Sequence, residues 1–165
     1  MFILTIIKII LPLTMNTVKS EIKEVKKNGM NVQWSFSDDL IHFQVHAPSA
    51  GWLAIGFNET ADLNNTYLII GAVSGNKFVV KEHHVFKPGS YQSFEQLREP
   101  ESIENIEGYE SEKETTIHFS LPQTSFYQYV KHLKHGMEYY LLLAYSQEDD
   151  FEHHSVMRTS IKIKL

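Results

Sequence analysis

The chain has 165 residues, 15 Lys+Arg against 20 Asp+Glu, nine His, no Cys and a formal charge of −5 at pH 7. This length suits one hydrophobic core, and a composition 42% apolar and 21% charged is that of a packed globule. Absent Cys excludes disulfides, thiolate metal sites, iron–sulfur clusters and c-type haem attachment, while an acidic balance without a basic cluster argues against a nucleic-acid partner.

The apolar opening, Phe2 to Ile7 and Ile9 to Leu13, resembles a secretory signal of atypical form, because Lys8 interrupts it and no A-x-A cleavage site follows. Residues 1–20 are therefore expected to be a signal or targeting segment and 21–165 the mature domain, secreted or periplasmic; the competing expectation is a buried first strand. No later run approaches the roughly 18 apolar residues of a membrane span, so none is expected.

From Met30 onward apolar residues recur with period two, the mark of half-buried strands. Ile41, Phe43, Val45 and Ala47 alternate with His42, Gln44 and His46, and Gly51 to Phe57 is a near-continuous apolar strand. Thr66 to Val73 and Phe78 to Phe86 flank Ser74-Gly75-Asn76 as a hairpin, and further strands are expected at Lys113 to Ser120, Met137 to Ser146 and Val156 to Leu165. Long loops are expected at Asn58 to Asn65 and Lys87 to Glu110, the second mobile or lid-like, and one short helix within Gln123 to His132. Short strands at this spacing predict an all-β antiparallel sandwich with at most one short helix.

The motifs of catalysis are missing: no G-x-S-x-G elbow, P-loop, dinucleotide fingerprint or Cys nucleophile occurs. A non-catalytic binding domain is expected. The chemistry-bearing residues are two His pairs, His83-His84 and His153-His154. Neighbours on a strand face opposite sides, so one of each pair is expected in a pocket and one outside it. Parity from Ile161 and Ile163 favours His153. Arg158 offers a guanidinium fork to an anion. Trp52 and the other large aromatics belong to core or pocket wall, and Tyr91, Tyr139, Tyr140 and Tyr145 suit sugar stacking or, more commonly, core and interface packing. The His pairs with Glu82 and Asp150 are a weaker candidate for a zinc or copper site. Asn58-Glu-Thr60 and Asn64-Asn-Thr66 match the N-glycosylation acceptor, meaningful in a eukaryotic secretory pathway.

Three stretches together resemble the DOMON domain: Gly51-Trp-Leu-Ala-Ile-Gly-Phe57, of form G-W-x-A-x-G-F; Leu68 to Gly71 after the following loop; and His154-Ser-Val-Met-Arg158, similar to the H-S-x-x-R ending of bacterial members. The resemblance implies an immunoglobulin-like sandwich that works outside the cytoplasm and binds b-type haem or sugars. In haem-binding members the iron lies between a Met of the loop after G-W-x-A-x-G-F and a His near the last strand. His154 matches the second; Leu63 stands about where the first would be, and leucine has no electron pair for iron. His84 or His83 is then the expected second ligand, with Met157 another, and the ligand is expected between the two sheets. A redox partner or membrane cytochrome, or a sugar ligand in the carbohydrate-binding alternative, completes the expectation.

Overall fold

The computed structural model describes residues 21–165 other than Asn76 and Phe126, so the expected leader at 1–20 lies outside the described residues. The alternating stretches become antiparallel strands: β1 (Lys23–Lys27), β2 (Met30–Ser37), β3 (Leu40–Ala47), β4 (Leu53–Asn58), β5 (Thr66–Ser74) and β6 (Lys77–Lys87). They are followed by β7 (Ser90–Ser93), the one-turn helix α1 (Phe94–Leu97), β8 (Glu104–Glu110), β9 (Thr115–Pro122), β10 (Glu138–Tyr145) and β11 (Met157–Lys164). One sheet has the order β1-β2-β3-β9-β8, the other β11-β10-β4-β5-β6-β7.

Period two drives this assembly, since a strand with one apolar face must bury it against another sheet. Val32, Trp34, Phe43, Val45, Ile117 and Phe119 of the five-stranded sheet meet Leu53, Ile55, Phe57, Ile69, Leu141 and Leu143 of the six-stranded sheet in one core. The Phe43 ring lies 5.5 Å from Phe57 and 5.4 Å from Phe119. Each such side chain contributes roughly 1.5–3 kcal/mol on burial. The core fills the gap between the sheets, and this overturns the expectation that a ligand sits there.

Two further expectations are corrected. The segment Lys87 to Glu110 is not one long lid: it holds β7, α1 and β8. Ser93 caps α1, accepting from the Gln96 backbone N–H while the Gln96 side chain accepts from the Ser93 N–H. The helix expected within Gln123 to His132 does not form among the described residues there; Val130 and Leu133 instead insert into the core from an irregular segment. Apolar spacing of three and four there reflects packing with a single turn, the Val130 N–H donating to the Tyr127 carbonyl at 3.3 Å, and no α-helix among the described residues.

The crossing from the six-stranded to the five-stranded sheet is held by a buried carboxylate. Glu82 is fully buried on the inner face of β6 and accepts from the Tyr67 hydroxyl, the Ser102 backbone N–H, the Ser102 hydroxyl (2.7 Å) and the Ile103 N–H (3.3 Å). Burial, then the nearby Glu82 charge, pushes the Tyr67 phenol well above its ordinary pKa, so it stays a donor. Glu82 is thereby committed to structure, and the zinc or copper set that included it is not assembled. On the outer face of the five-stranded sheet, His42 bridges Ser37 (2.5 Å) and Ser120 (2.8 Å), and His46 lies 3.2 Å from Glu114.

Candidate functional site

A sandwich sheet normally buries one face and wets the other, yet every residue of β4, and all of β5 except its last, is buried. The outward side chains form a second apolar cluster, Trp52, Ala54, Leu68, Ile70, Ala72, Val85 and Ala144, with Leu63, Leu142 and Phe151 against it. Over this cluster lies a cavity of about 610 Å³. That is within the roughly 300–1,000 Å³ of small-molecule and cofactor sites.

Two loops wall it. The loop after β4 brings Leu63, held in place by Asn58, whose amide nitrogen reaches the carbonyls of Asp62 and Asn64 (both 2.9 Å) and the Thr66 hydroxyl (3.3 Å). The segment between β10 and β11 brings Phe151, Glu152, His153, His154 and Ser155. It is anchored where the Trp52 N–H donates to the Glu148 carbonyl (3.0 Å) and the Ser146 hydroxyl to the His154 carbonyl (3.2 Å). Across the sheet the Tyr91 hydroxyl of β7 donates to the Phe151 carbonyl at 2.6 Å, strapping this segment to the far edge strand.

The floor carries His83. It is 5% exposed, and its ring packs edge-on against Tyr91 (5.6 Å) and Phe151 (6.2 Å). Nδ1 lies 3.1 Å from the Lys81 carbonyl, which only accepts, so the proton is on Nδ1 and the neutral ring keeps its lone pair on Nε2. Burial foremost, with the Lys81 ammonium adding and the hydrogen bond opposing, pulls the His83 pKa to about 4. Unfolded, the imidazole titrates near its ordinary 6.5. Between those values the unfolded chain binds a proton that the folded chain does not. This contribution is therefore complete above about pH 6.5 and is lost as pH falls toward 4, by roughly 3 kcal/mol. Melts of the native protein and His83→Leu between pH 7 and 4.5 are expected to differ by this extra acid sensitivity, absent from the variant.

The structure sorts the other predicted site residues. His153 and His154 both line the cavity, correcting the expectation that only one would. They lie in the loop before β11, where strand alternation does not apply. Leu63, Trp52 and Arg158 line it too. His84 does not. Alternation turns it to the opposite face of β6, where its ring is 4.5 Å from Tyr129 and 4.7 Å from Phe86, so the pairing of His154 with His84 as metal ligands is not assembled. Met157 is turned to the main core. Among the described residues no three His, Asp or Glu come together as a metal site.

Sequence reasoning missed the second compartment. An annex of about 230 Å³, whose lining includes the polar side chains of Asn58, Thr60, Asp62, Tyr140, Thr159 and Ser160, shares Leu63, Thr66, Leu142 and Arg158 with the main cavity. Trp52 is 6% exposed, and its indole Nε1 is buried without a hydrogen-bond partner among the described residues. The signal for the outer cluster was present in the sequence: apolar residues at both parities of β4 and β5 mean two buried faces.

Fold and site together define a β-sandwich with an apolar, histidine-bearing cavity on the outside of one sheet. The chain belongs to the DOMON domain family, whose model matches residues 26–146. Among solved structures, the cytochrome b domain of pyranose dehydrogenase from Coprinopsis cinerea is similar in fold, with TM-score 0.63 at 10% identity over 87% of this chain and 81% of that one. So is the cytochrome domain of Myriococcum thermophilum cellobiose dehydrogenase, with TM-score 0.59 at 8% identity over 88% of this chain and 82% of that one. No curated protein sequence matches the chain. No helix among the described residues is long and apolar enough to cross a membrane.

Proposed function

We propose that this is an exported DOMON module that holds b-type haem in the outer-face cavity and passes single electrons, with His154 and His83 as the iron ligands. The observation that carries the reading is His83: a buried, neutral imidazole lining the cavity, whose Nδ1–H is fixed on a backbone carbonyl and whose Nε2 makes no hydrogen bond among the described residues. Metal-bound histidines are oriented by such a hydrogen bond. The other residues suit the same group. An apolar floor accepts a flat macrocycle, the buried Trp52 N–H, without a partner among the described residues, can donate to it, and Arg158 can meet an anionic arm. The likeness to cytochrome domains of two dehydrogenases supports the reading at the level of fold.

Haem, when bound, supplies a one-electron iron couple. The chain's own residues decide the rest. His83 stays unprotonated through neutral pH, so no proton competes for Nε2. Leu63 offers no sulfur, so a Met/His ligand pair is unavailable and a lower potential is expected than with thioether ligation. The segment between β10 and β11, strapped to Tyr91, covers one side of the cavity and limits the access of water to the ligand. Partners would be redox proteins met transiently, such as a dehydrogenase or membrane cytochrome.

Titration of the purified protein with haem is expected to give a Soret band. His154→Ala and His83→Ala should each weaken binding at least about 10-fold, since even supporting residues of metal sites are worth 10–100-fold. Leu63→Met is expected to raise the reduction potential. A protein that leaves haem free, or binds it unchanged after both His substitutions, would refute the reading. The hydroxyl and amide groups of the annex favour carbohydrate as the second reading. A colourless protein that binds oligosaccharide and ignores haem would establish it.

A further inference from the structure

The two N-glycosylation acceptor motifs lie six positions apart in one loop, and the fold treats their asparagines in opposite ways. Asn58 is 6% exposed and fully engaged: Nδ2 serves the Asp62 and Asn64 carbonyls and the Thr66 hydroxyl, and Oδ1 accepts from the Glu59 N–H at 2.8 Å. An amide nitrogen has two hydrogens, and a sugar on Nδ2 would replace one and push apart the Asp62 and Asn64 carbonyls and the Thr66 hydroxyl that Nδ2 holds together. Asn64 is exposed, and its side chain makes no hydrogen bond among the described residues; only its backbone is used, the N–H donating to the Asp62 carboxylate (2.7 Å) and the carbonyl accepting from Asn58.

We infer that Asn64 is a glycan-bearing site and that Asn58 is left unmodified in the folded protein. The inference rests on the export reading above, in a eukaryotic secretory pathway. The donor is an oligosaccharide linked to a lipid pyrophosphate. Its C1–O bond breaks, a C1–N bond forms at Nδ2 of Asn64, the amide proton leaves, and the lipid pyrophosphate departs. The transferring enzyme meets the chain before folding, so discrimination arises afterwards. A chain modified at Asn58 loses the amide that closes its own loop, whereas one modified at Asn64 folds with the sugar in solvent. Asn64 adjoins Leu63 on the cavity wall, so the glycan shields that rim and leaves partners the remaining approaches.

The test is secretion of the full chain from eukaryotic cells with a strong cleavable leader appended, followed by intact mass and peptide mapping before and after enzymatic deglycosylation. The expected result is one glycan at Asn64, lost in Asn64→Gln, with Asn58 unmodified in both. Secreted protein without sugar at Asn64, or carrying it at Asn58, overturns the inference. The chain without the appended leader, run in parallel, reports separately on residues 1–20: its retention would refute a leader in that segment while the appended version still decides the fate of Asn64.

Discussion

Glu82→Ala is expected to lower unfolding free energy by about 3–5 kcal/mol, the usual cost of removing one member of a buried charged network. In a chain of this size that lowers the melting midpoint by roughly 6–20 °C. The size of the effect comes from what is left behind. The Tyr67 hydroxyl, the Ser102 N–H and hydroxyl and the Ile103 N–H all aim at the carboxylate, and in its absence four donors lose their acceptor where water is scarce. Tyr67→Phe removes one donor and leaves the acceptor served by three, so its cost is expected to be smaller, about 1–2 kcal/mol. Calorimetry of both variants checks the order. Hydrogen exchange should report loosening first in the crossing before β8, because Ser102 and Ile103 are tied to the opposite sheet through this group. A Glu82→Ala protein melting within two degrees or so of the parent would show that the network carries no net weight.

Gly51→Ala is expected to be nearly as damaging, and to strike the site as well as the fold. A Cβ there would lie 2.6 Å from the Gln147 carbonyl carbon, 2.6 Å from the Glu148 nitrogen and 2.7 Å from the Ser146 oxygen. All three are backbone atoms, held by the Trp52–Glu148 and Ser146–Trp52 hydrogen bonds, and cannot swing aside as a side-chain tip would. Overpacking of this kind costs about 1–3 kcal/mol and more where the neighbours are rigid. The strain falls at the root of the segment that carries His153 and His154. Faster exchange in residues 147–156 is the expected signature, together with weaker haem uptake if the proposed function holds. Gly75→Asn is the control: that turn has nothing within 4 Å of a new Cβ, and Asn tolerates its positive φ of 61°.

Much of the architecture was legible because strand alternation is written directly into Ile41 to Ala47 and its neighbours. Boundaries of the main strands fall within two residues or so of their expected places, except where turns intervene. The segment from Lys87 to Glu110 was harder to read. β8, with sequence ENIEGYE, alternates half-buried and exposed residues without a strong apolar face, and looks like an acidic loop until Glu82 pins the chain before it. The site was legible residue by residue but misplaced as a whole. Trp52, Leu63, His83, His153, His154 and Arg158 do converge. They do so outside the sandwich, because β4 and β5 bury both faces. Parity could not choose between His83 and His84, since both faces of β6 are covered; the choice is made by Lys81 and Tyr91 on one side and Tyr129 on the other.

The two apolar clusters share a sheet but no side chains, and this separates holding a shape from holding a guest. Uptake or loss of a ligand need not melt the interior, so an empty form should persist as a folded reservoir awaiting its occupant. The same separation lets lineages rewrite the two walling loops, exchanging one ligand chemistry for another, while the architecture beneath them stays as it was.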